Sequence, residues 1–293
     1  MTGAGLVESL TRASEPREYP DGSPYKSLPI KEVSRLSQAH KMPGRDVEIA
    51  ALRAGLLPER YARNRKSFSL EEQATLLGSR VSVVGLGGLG GIVTEILSRI
   101  GVGTLDLVDG DAFEESNLNR QLLSTEARLH IPKAVQAAQR VEEINSSVVV
   151  SCHQAYLNDD NARRLLDQTN VIVDCIGGVK DRYVVERAAR ALVCPMVSAA
   201  VGGDLGHVIT VFPGEEGFER IYGEEESVSS MGVEATLGCL PHVTTLLATL
   251  ECSEVVKILL KKENLLRNQM LAVDLSDYTF EVLKLRPEVR QGA

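Results

Sequence analysis

The string Gly85-Leu-Gly87-Gly-Leu-Gly90 follows a short apolar run, Val81-Ser-Val-Val84, and leads into a stretch of helical pattern from Gly91 to Ile100. Strand, glycine turn and helix in that order constrain the chain more than any other feature it carries. Glycines let the backbone turn sharply and approach phosphate oxygens, and the helix behind them offers free N–H groups and about half a positive charge. Thr104–Val108 reads as the next strand and ends at Asp109, about 20 residues past the last glycine, where a carboxylate can accept both hydroxyls of a ribose. Gly85, Gly87, Gly88, Gly90 and Asp109 are therefore candidate nucleotide-binding residues. Taken alone, they suit a nicotinamide dinucleotide as well as ATP.

The segments that follow keep alternating. Lys133–Ile144 reads as helical, Ser147–Cys152 as extended, Asn161–Asp167 as helical, Val171–Cys175 as extended and Asp181–Leu192 as helical. Alternation of this kind predicts an α/β fold of Rossmann type, a mainly parallel sheet with helices on both faces. After Pro195 the pattern turns to strands, Met196–Ala200 and His207–Phe212, and predicts a C-terminal mixed or antiparallel part. The glutamate-rich stretch 214–227 reads as a solvated loop. Pro241–Leu260 reads as a long helix apolar on nearly all sides, placed in the core or at a subunit interface. Gln269–Asp274 and Tyr278–Leu285 read as a closing hairpin. Ahead of all this, residues 1–64 are polar and broken by prolines, with short helices expected at Lys31–His40 and Asp46–Ala54 and a loose first twenty-odd residues. The division predicted is an N-terminal arm, 1–64, and one domain, 65–293, whose nucleotide-binding half spans about 78–195 and whose second half spans about 196–293.

Composition narrows the function. With 32 Lys and Arg against 40 Asp and Glu, the net charge is −8. A nonspecific grip on nucleic acid is thereby disfavoured, and any anionic ligand must meet a local positive site. Nothing approaches the ~20 apolar residues of a membrane span, and the N-terminus carries Glu8, Arg12 and Glu15 where a signal peptide would be apolar. A cytoplasmic protein with no membrane association is expected. The five cysteines form no C-x-x-C pair, so free thiols and no zinc are expected.

Beyond Asp109 lies Asn117-Leu-Asn119-Arg120-Gln121, and then Lys133 opens a helix after Pro132. Singly, Arg120 or Lys133 would be an ordinary surface ion pair. Together with Asn117 and Gln121 they suit a triphosphate, whose reaction at the α-phosphorus needs developing charge neutralised, better than a pyrophosphate engaged in hydride transfer.

With these pieces in place, the chain from about Arg60 to Leu285 resembles the ThiF/MoeB/HesA adenylyltransferases, ubiquitin-activating-type enzymes that charge the C-terminal Gly-Gly of a small β-grasp sulfur carrier. The matching pieces are Arg60-Tyr-Ala-Arg63-Asn64, Val83 to Gly90, Gly101-Val-Gly-Thr-Leu, Asp109-Gly-Asp111, Asn117 to Gln121, Pro132-Lys133-Ala and Val173-Asp-Cys175. The resemblance implies that Asp109 holds the ribose, that Asp111 supports the neighbouring loop or phosphate contacts, and that Asn117, Arg120, Gln121 and Lys133 surround the triphosphate. It implies further that Arg63 is an arginine finger delivered by the other subunit of a homodimer, and that ATP and Mg2+ are required. The implied reaction is attack of the carrier's carboxylate on the α-phosphorus, serving molybdopterin- or thiamine-type sulfur transfer. A carboxylate is already ionised at pH 7, so no general base is needed.

Three positions depart from the pattern. No zinc-binding C-x-x-C pairs are present. Gly232 stands where some members place a cysteine, with Cys239 as a possible substitute. Where relatives read Asp-Cys-Thr-Asp-Asn, with the second Asp on magnesium, this chain reads Asp174-Cys175-Ile176-Gly177-Gly178. Asp181, one helical turn on, is the candidate replacement, with Asp174 as a helper. Alternatives kept open are a member acting on another carboxylate or amide, a nucleotide-binding partner without catalysis, and an NAD-dependent dehydrogenase.

Overall fold

The computed structural model describes residues 3–229 and 231–285. Along the chain, helix α1 (Gly3–Ala13) precedes strands β1 (Glu15–Glu18) and β2 (Pro24–Leu28), helices α2 (Ile30–His40) and α3 (Gly44–Arg53), and the two-residue strand β3 (Leu57–Pro58). β1 and β2 pair antiparallel, and β2 and β3 pair parallel. Leu10, Leu28, Val33, Leu36, Val47 and Ala51 close a small core among them. The loose N-terminus expected from the sequence is therefore corrected from residue 3 onward. Leu6, Leu10 and Ala13 form one apolar stripe on α1 and pack into that core. Pro16 lies on an edge strand and Pro24 at a strand's first residue, where a missing N–H costs no ladder bond.

This unit is fastened to the rest through buried polar contacts. Arg60 pairs with Glu48 at 3.2 Å and donates to Asn145, and Asn145 Nδ2 donates to the Tyr61 hydroxyl at 3.0 Å. Leu52, Leu57, Tyr61, Ala74 and Leu77 fill the space between.

Helix α4 (Leu70–Gly78), opened by the Ser69–Glu72 capping box, leads into β4 (Arg80–Val84), α5 (Gly88–Ile100), β5 (Thr104–Val108), α6 (Lys133–Ile144), β6 (Val149–His153), α7 (Asp159–Leu165), β7 (Val171–Asp174), α8 (Lys180–Ala191) and β8 (Met196–Gly202). Then come β9 (Leu205–Val211), the short helices α9 (Glu219–Tyr222) and α10 (Glu234–Leu237), the long α11 (Pro241–Leu259), β10 (Gln269–Asp274) and β11 (Thr279–Lys284). The eight strands make one sheet in the order β11-β10-β9-β8-β7-β4-β5-β6. From β6 to β8 neighbours are parallel, and β9, β10 and β11 add antiparallel. Helices α5, α6 and α11 cover one face and α7 and α8 the other. The mainly parallel α/β sheet with an antiparallel C-terminal continuation matches the fold expected from the sequence. The chain reverses its direction of growth between β4 and β7, and such a switch point leaves a crevice at the strands' carboxyl ends.

Two expectations need correction. Within 214–227, Phe218 is fully buried against Tyr183, with ring centroids 5.7 Å apart, so that stretch is anchored and not wholly solvated. Helix α11 is less uniformly apolar than its pattern suggests, because Glu251 and Glu254 are buried on it while Thr245 and Thr249 are exposed. Glu254 is satisfied there by Thr210, the Leu266 N–H and Lys257. No helix among the described residues is long and apolar enough to cross a membrane.

Candidate nucleotide site

At the carboxyl ends of β4, β5 and β7 lies a cavity of about 640 Å³. The glycine turn forms one wall. Gly85 adopts φ +87°, its N–H donates to the Val108 carbonyl at 2.9 Å, and a Cβ there would stand 2.8 Å from the Cys175 carbonyl oxygen. A Cβ on Gly90 would stand 1.8 Å from the Gly85 carbonyl oxygen, so α5 can approach the strand only with glycine there. Gly87 and Gly88, at the start of α5, line the cavity itself.

Asp109 and Asp111 form the adjacent wall. The Asp109 carboxylate accepts the N–H groups of Leu86 at 2.7 Å and Asp111 at 2.8 Å. Burial raises its pKa, against the opposing pull of those two backbone bonds and Lys133. Asp111 is also penalised by burial, but the Tyr156 hydroxyl at 2.5 Å and the Lys133 ammonium at 3.0 Å prevail and hold its pKa below the usual carboxylate value. Lys133 is 7% exposed and reaches the cavity already paired. Tyr156, whose ring lies over Gly110, was not singled out in the sequence, and its spacing carries no signal.

The Asn117–Gln121 segment lines the cavity beside the glycines, with Gln121 against Gly87 and Arg120 against Gly88. Asn117 is buried and its Oδ1 accepts the Glu114 N–H at 3.1 Å, which shapes the turn before Arg120. Arg120 is half-buried and donates through Nη1 to the Ser116 carbonyl and to Asn119 Oδ1, with no acidic partner among the described residues. Gln121 is 6% exposed, lies against Gly87, and its Oε1 is buried with no hydrogen-bond partner.

At the cavity floor lies an ion pair that sequence reasoning missed. Arg182 is 5% exposed; its Nη1 donates to Asp174 Oδ2 at 3.1 Å, Ser198 Oγ at 2.9 Å and the Ala199 carbonyl at 2.8 Å. Its Nη2 and Nε donate to the carbonyls of Ile176 and Gly178. Asp174 is thus fully buried and turned into this network, which corrects the expectation that it might assist a metal in the cavity. Glu251 lies nearby and accepts from Cys175; burial, reinforced by Asp174, pushes its pKa well up.

Of the remaining candidates, Asp181 stands exposed at the cavity rim in the first turn of α8, with no hydrogen bond among the described residues. Arg63 is exposed on the turn after Tyr61 and does not line the cavity. Cys239 does line it, but burial raises its thiol pKa despite the nearby Arg120, so the sulfur is not primed as a thiolate.

A second cavity, of about 400 Å³, adjoins the first and shares Arg182, Val201 and Glu234 with it. Val179, Leu205, Met270 and Val273 make it largely apolar, and His207 and Tyr222 hydrogen-bond across it at 3.0 Å. Burial, aided by Arg182, lowers the His207 pKa to about 4, so the imidazole is neutral at pH 7.

Known proteins resemble this chain in sequence and in fold. The model of the ThiF family matches residues 61–292. The adenylyltransferase and sulfurtransferase MOCS3 of Anopheles gambiae is 32% identical over 236 residues, covering 78% of this chain and 53% of that protein. The SAMP-activating enzyme E1 of Haloferax volcanii is 31% identical over 230 residues, covering 78% of this chain and 85% of that one. The chain spans about half the length of the MOCS3 proteins it matches. Among solved structures, E. coli MccB with ATP shares the fold at a TM-score of 0.67 and 20% identity, covering 97% of this chain and 89% of MccB. PaaA shares it at 0.64 and 20%, covering 78% of this chain.

Proposed function

The chain belongs to the ThiF family, and on that premise we propose that it is an ATP-dependent adenylyltransferase acting on the C-terminal Gly-Gly carboxylate of a small β-grasp sulfur carrier, as in molybdopterin- or thiamine-type sulfur transfer. The observation that carries this reading is the convergence of Arg120, Gln121 and Lys133 on the cavity that the glycine turn also lines.

In this reading the ribose lies at Asp109, and the N–H groups at the start of α5 face phosphate oxygens. Arg120 takes the β- and γ-phosphates with the guanidinium hydrogens it does not use internally, and Lys133, oriented by Asp111, faces the α-phosphate. Asn117 holds the turn that aims Arg120, and Gln121 fixes the bound nucleotide against Gly87. The carrier's carboxylate attacks the α-phosphorus, the bond to the bridging oxygen breaks, and pyrophosphate leaves with the released charge. Catalysis is then positioning and charge stabilisation. The donor set at the rim fits a hard divalent cation: Asp181 offers a free carboxylate, and magnesium, held by it and the phosphates, would neutralise phosphate charge. The second cavity takes the extended tail, and its junction with the first at Arg182 and Glu234 is where a terminal glycine would meet the nucleotide. Arg63 lies outside its own cavity, which suits a residue given to the partner of a homodimer. The nucleotide-binding half is then about 78–195 and the carrier and dimer half about 196–293, in a cytoplasmic protein without zinc.

A second reading, adenylation of the carboxylate or amide of a peptide, is favoured by one fact. The likeness to MccB covers 97% of the chain and so includes the N-terminal unit, whereas the MOCS3 and E1 matches cover 78%. The test is ATP–pyrophosphate exchange with candidate acceptors. Carrier-dependent exchange abolished by Arg120→Ala supports the first reading, and exchange that answers only to a peptide supports the second. ATP binding without exchange points to a non-catalytic partner, and NAD binding tighter than ATP to a dehydrogenase.

A further inference from the structure

The second cavity is floored by the antiparallel half of the sheet. Strand register sets Ala200, His207, Ala272 and Glu281 side by side on β8, β9, β10 and β11, and places Leu205 beside Asp274 one pleat further on. All six line the cavity. The row runs from β8, where Arg182, Val201 and Glu234 join this cavity to the first, out to the edge strand, three strand spacings or about 14 Å away. Its character changes along the way. In the middle, His207 and Tyr222 satisfy each other at 3.0 Å, the imidazole is neutral at pH 7, and Val179 and Met270 complete an apolar hollow. At the far end stand the carboxylates of Asp274, which accepts from Ser276 in its own turn, and of the exposed Glu281. Among the described residues the only lysine or arginine on the lining is Arg182, and its charge is already met by Asp174.

We propose that the second cavity selects the acceptor's tail by two side chains: a large apolar one third from the carboxyl end, which fills the hollow over His207 and Ala272, and a lysine or arginine fifth from the end, which meets Asp274 and Glu281. The proposal rests on the reading of the first cavity as the adenylation site, since the terminal carboxylate then lies at the junction of the two cavities. An extended tail advances about 3.3 Å per residue, so its third residue from the end lies about 7 Å past the junction and its fifth about 13 Å past it, at the acidic edge. Those two residues also point to the same side of an extended chain, so both can face the floor. Two terminal glycines carry no side chain and by themselves leave a hollow of about 400 Å³ unfilled. An apolar side chain entering it leaves water, which is favourable roughly in proportion to the area covered. At the edge, two carboxylates without a facing cation attract a positive group and repel a negative one. The glycines therefore suit the junction, and discrimination between acceptors falls to the residues ahead of them.

The test uses the full chain loaded with a non-hydrolysable methylene analogue of ATP, and fluorescein-labelled octapeptides ending in Gly-Gly, read by fluorescence anisotropy. The reference peptide carries leucine third and lysine fifth from the end and serine elsewhere. Serine in place of the leucine is expected to weaken binding about tenfold or more. Glutamate in place of the lysine is expected to weaken it about fivefold or more, by less at high salt. Glu281→Lys, a change on an exposed edge strand, is expected to reverse the order of the lysine and glutamate peptides. Ala272→Phe fills the hollow and is expected to abolish the leucine preference, with affinity for the ATP analogue unchanged within about twofold as the sign that the variant is folded. Equal binding of the leucine and serine peptides, a lysine preference that survives Glu281→Lys, or no measurable binding of the reference peptide would overturn the proposal. ATP–pyrophosphate exchange with the same peptides keeps the two readings apart. The expected preferences without exchange would count against adenylation and leave the selection standing, and exchange without the preferences would count against the selection alone.

Discussion

Arg182 and Asp174 meet at 3.1 Å at the floor of the nucleotide cavity, 5% and 0% exposed, and together hold the loop that crosses it. Removing one member of a buried pair strands the other charge, which costs about 3–5 kcal/mol. Arg182→Met is expected to lower the unfolding free energy measured by urea titration by that amount, and Arg182→Met with Asp174→Asn to recover part of it. Equal losses in the single and double variants would show that the pair is not the cause.

The glycines of the turn divide into two kinds. Gly90→Ala forces a Cβ to within 1.8 Å of a backbone oxygen, and a loss of about 3 kcal/mol or more in folding stability is expected. At Gly87 the nearest atom, at 3.4 Å, belongs to the flexible Gln121 side chain. Gly87→Ala should therefore leave the melting temperature nearly unchanged while weakening nucleotide binding. Calorimetric melting of both variants beside ATP titration separates the two effects.

His207 should leave a mark on the pH dependence of stability. Its folded pKa, about 4, lies below the unfolded value near 6.5. Above pH 6.5 both states hold it neutral and it adds no slope. As pH falls from 6.5 towards 4, the unfolded chain takes up the proton and the native one does not. Stability drops over that window by on the order of 3 kcal/mol, and not further below it. His207→Gln should flatten the wild-type loss between pH 7 and pH 5 in urea unfolding. Parallel curves for the two proteins would mean that the imidazole titrates normally.

Much of this was legible in the sequence, for identifiable reasons. The turn from Gly85 to Gly90, the alternation of strands and helices, and the run from Asn117 to Gln121 are local patterns, and local patterns survive in a string. Arg182 was not legible, because an arginine between Asp181 and Tyr183 on a helix looks like a solvent-facing cation until Asp174 and Ser198 are brought to it from neighbouring strands. Glu234 and Tyr156 were hidden for the same reason, since each meets its partner only through the fold. The ordering of α1 was not legible because only three of its positions, Leu6, Leu10 and Ala13, face the core, and the prolines beside it suggested a broken chain.

The central claim is that this cavity holds a nucleoside triphosphate on a cationic wall. Calorimetric titration of ATP, AMP and NAD into the wild-type chain and into Arg120→Ala tests it most directly. The expected result is ATP bound more tightly than NAD, with Arg120→Ala costing about tenfold or more for ATP and almost nothing for AMP. NAD bound more tightly than ATP, or equal ATP affinity in the two proteins, would contradict the account.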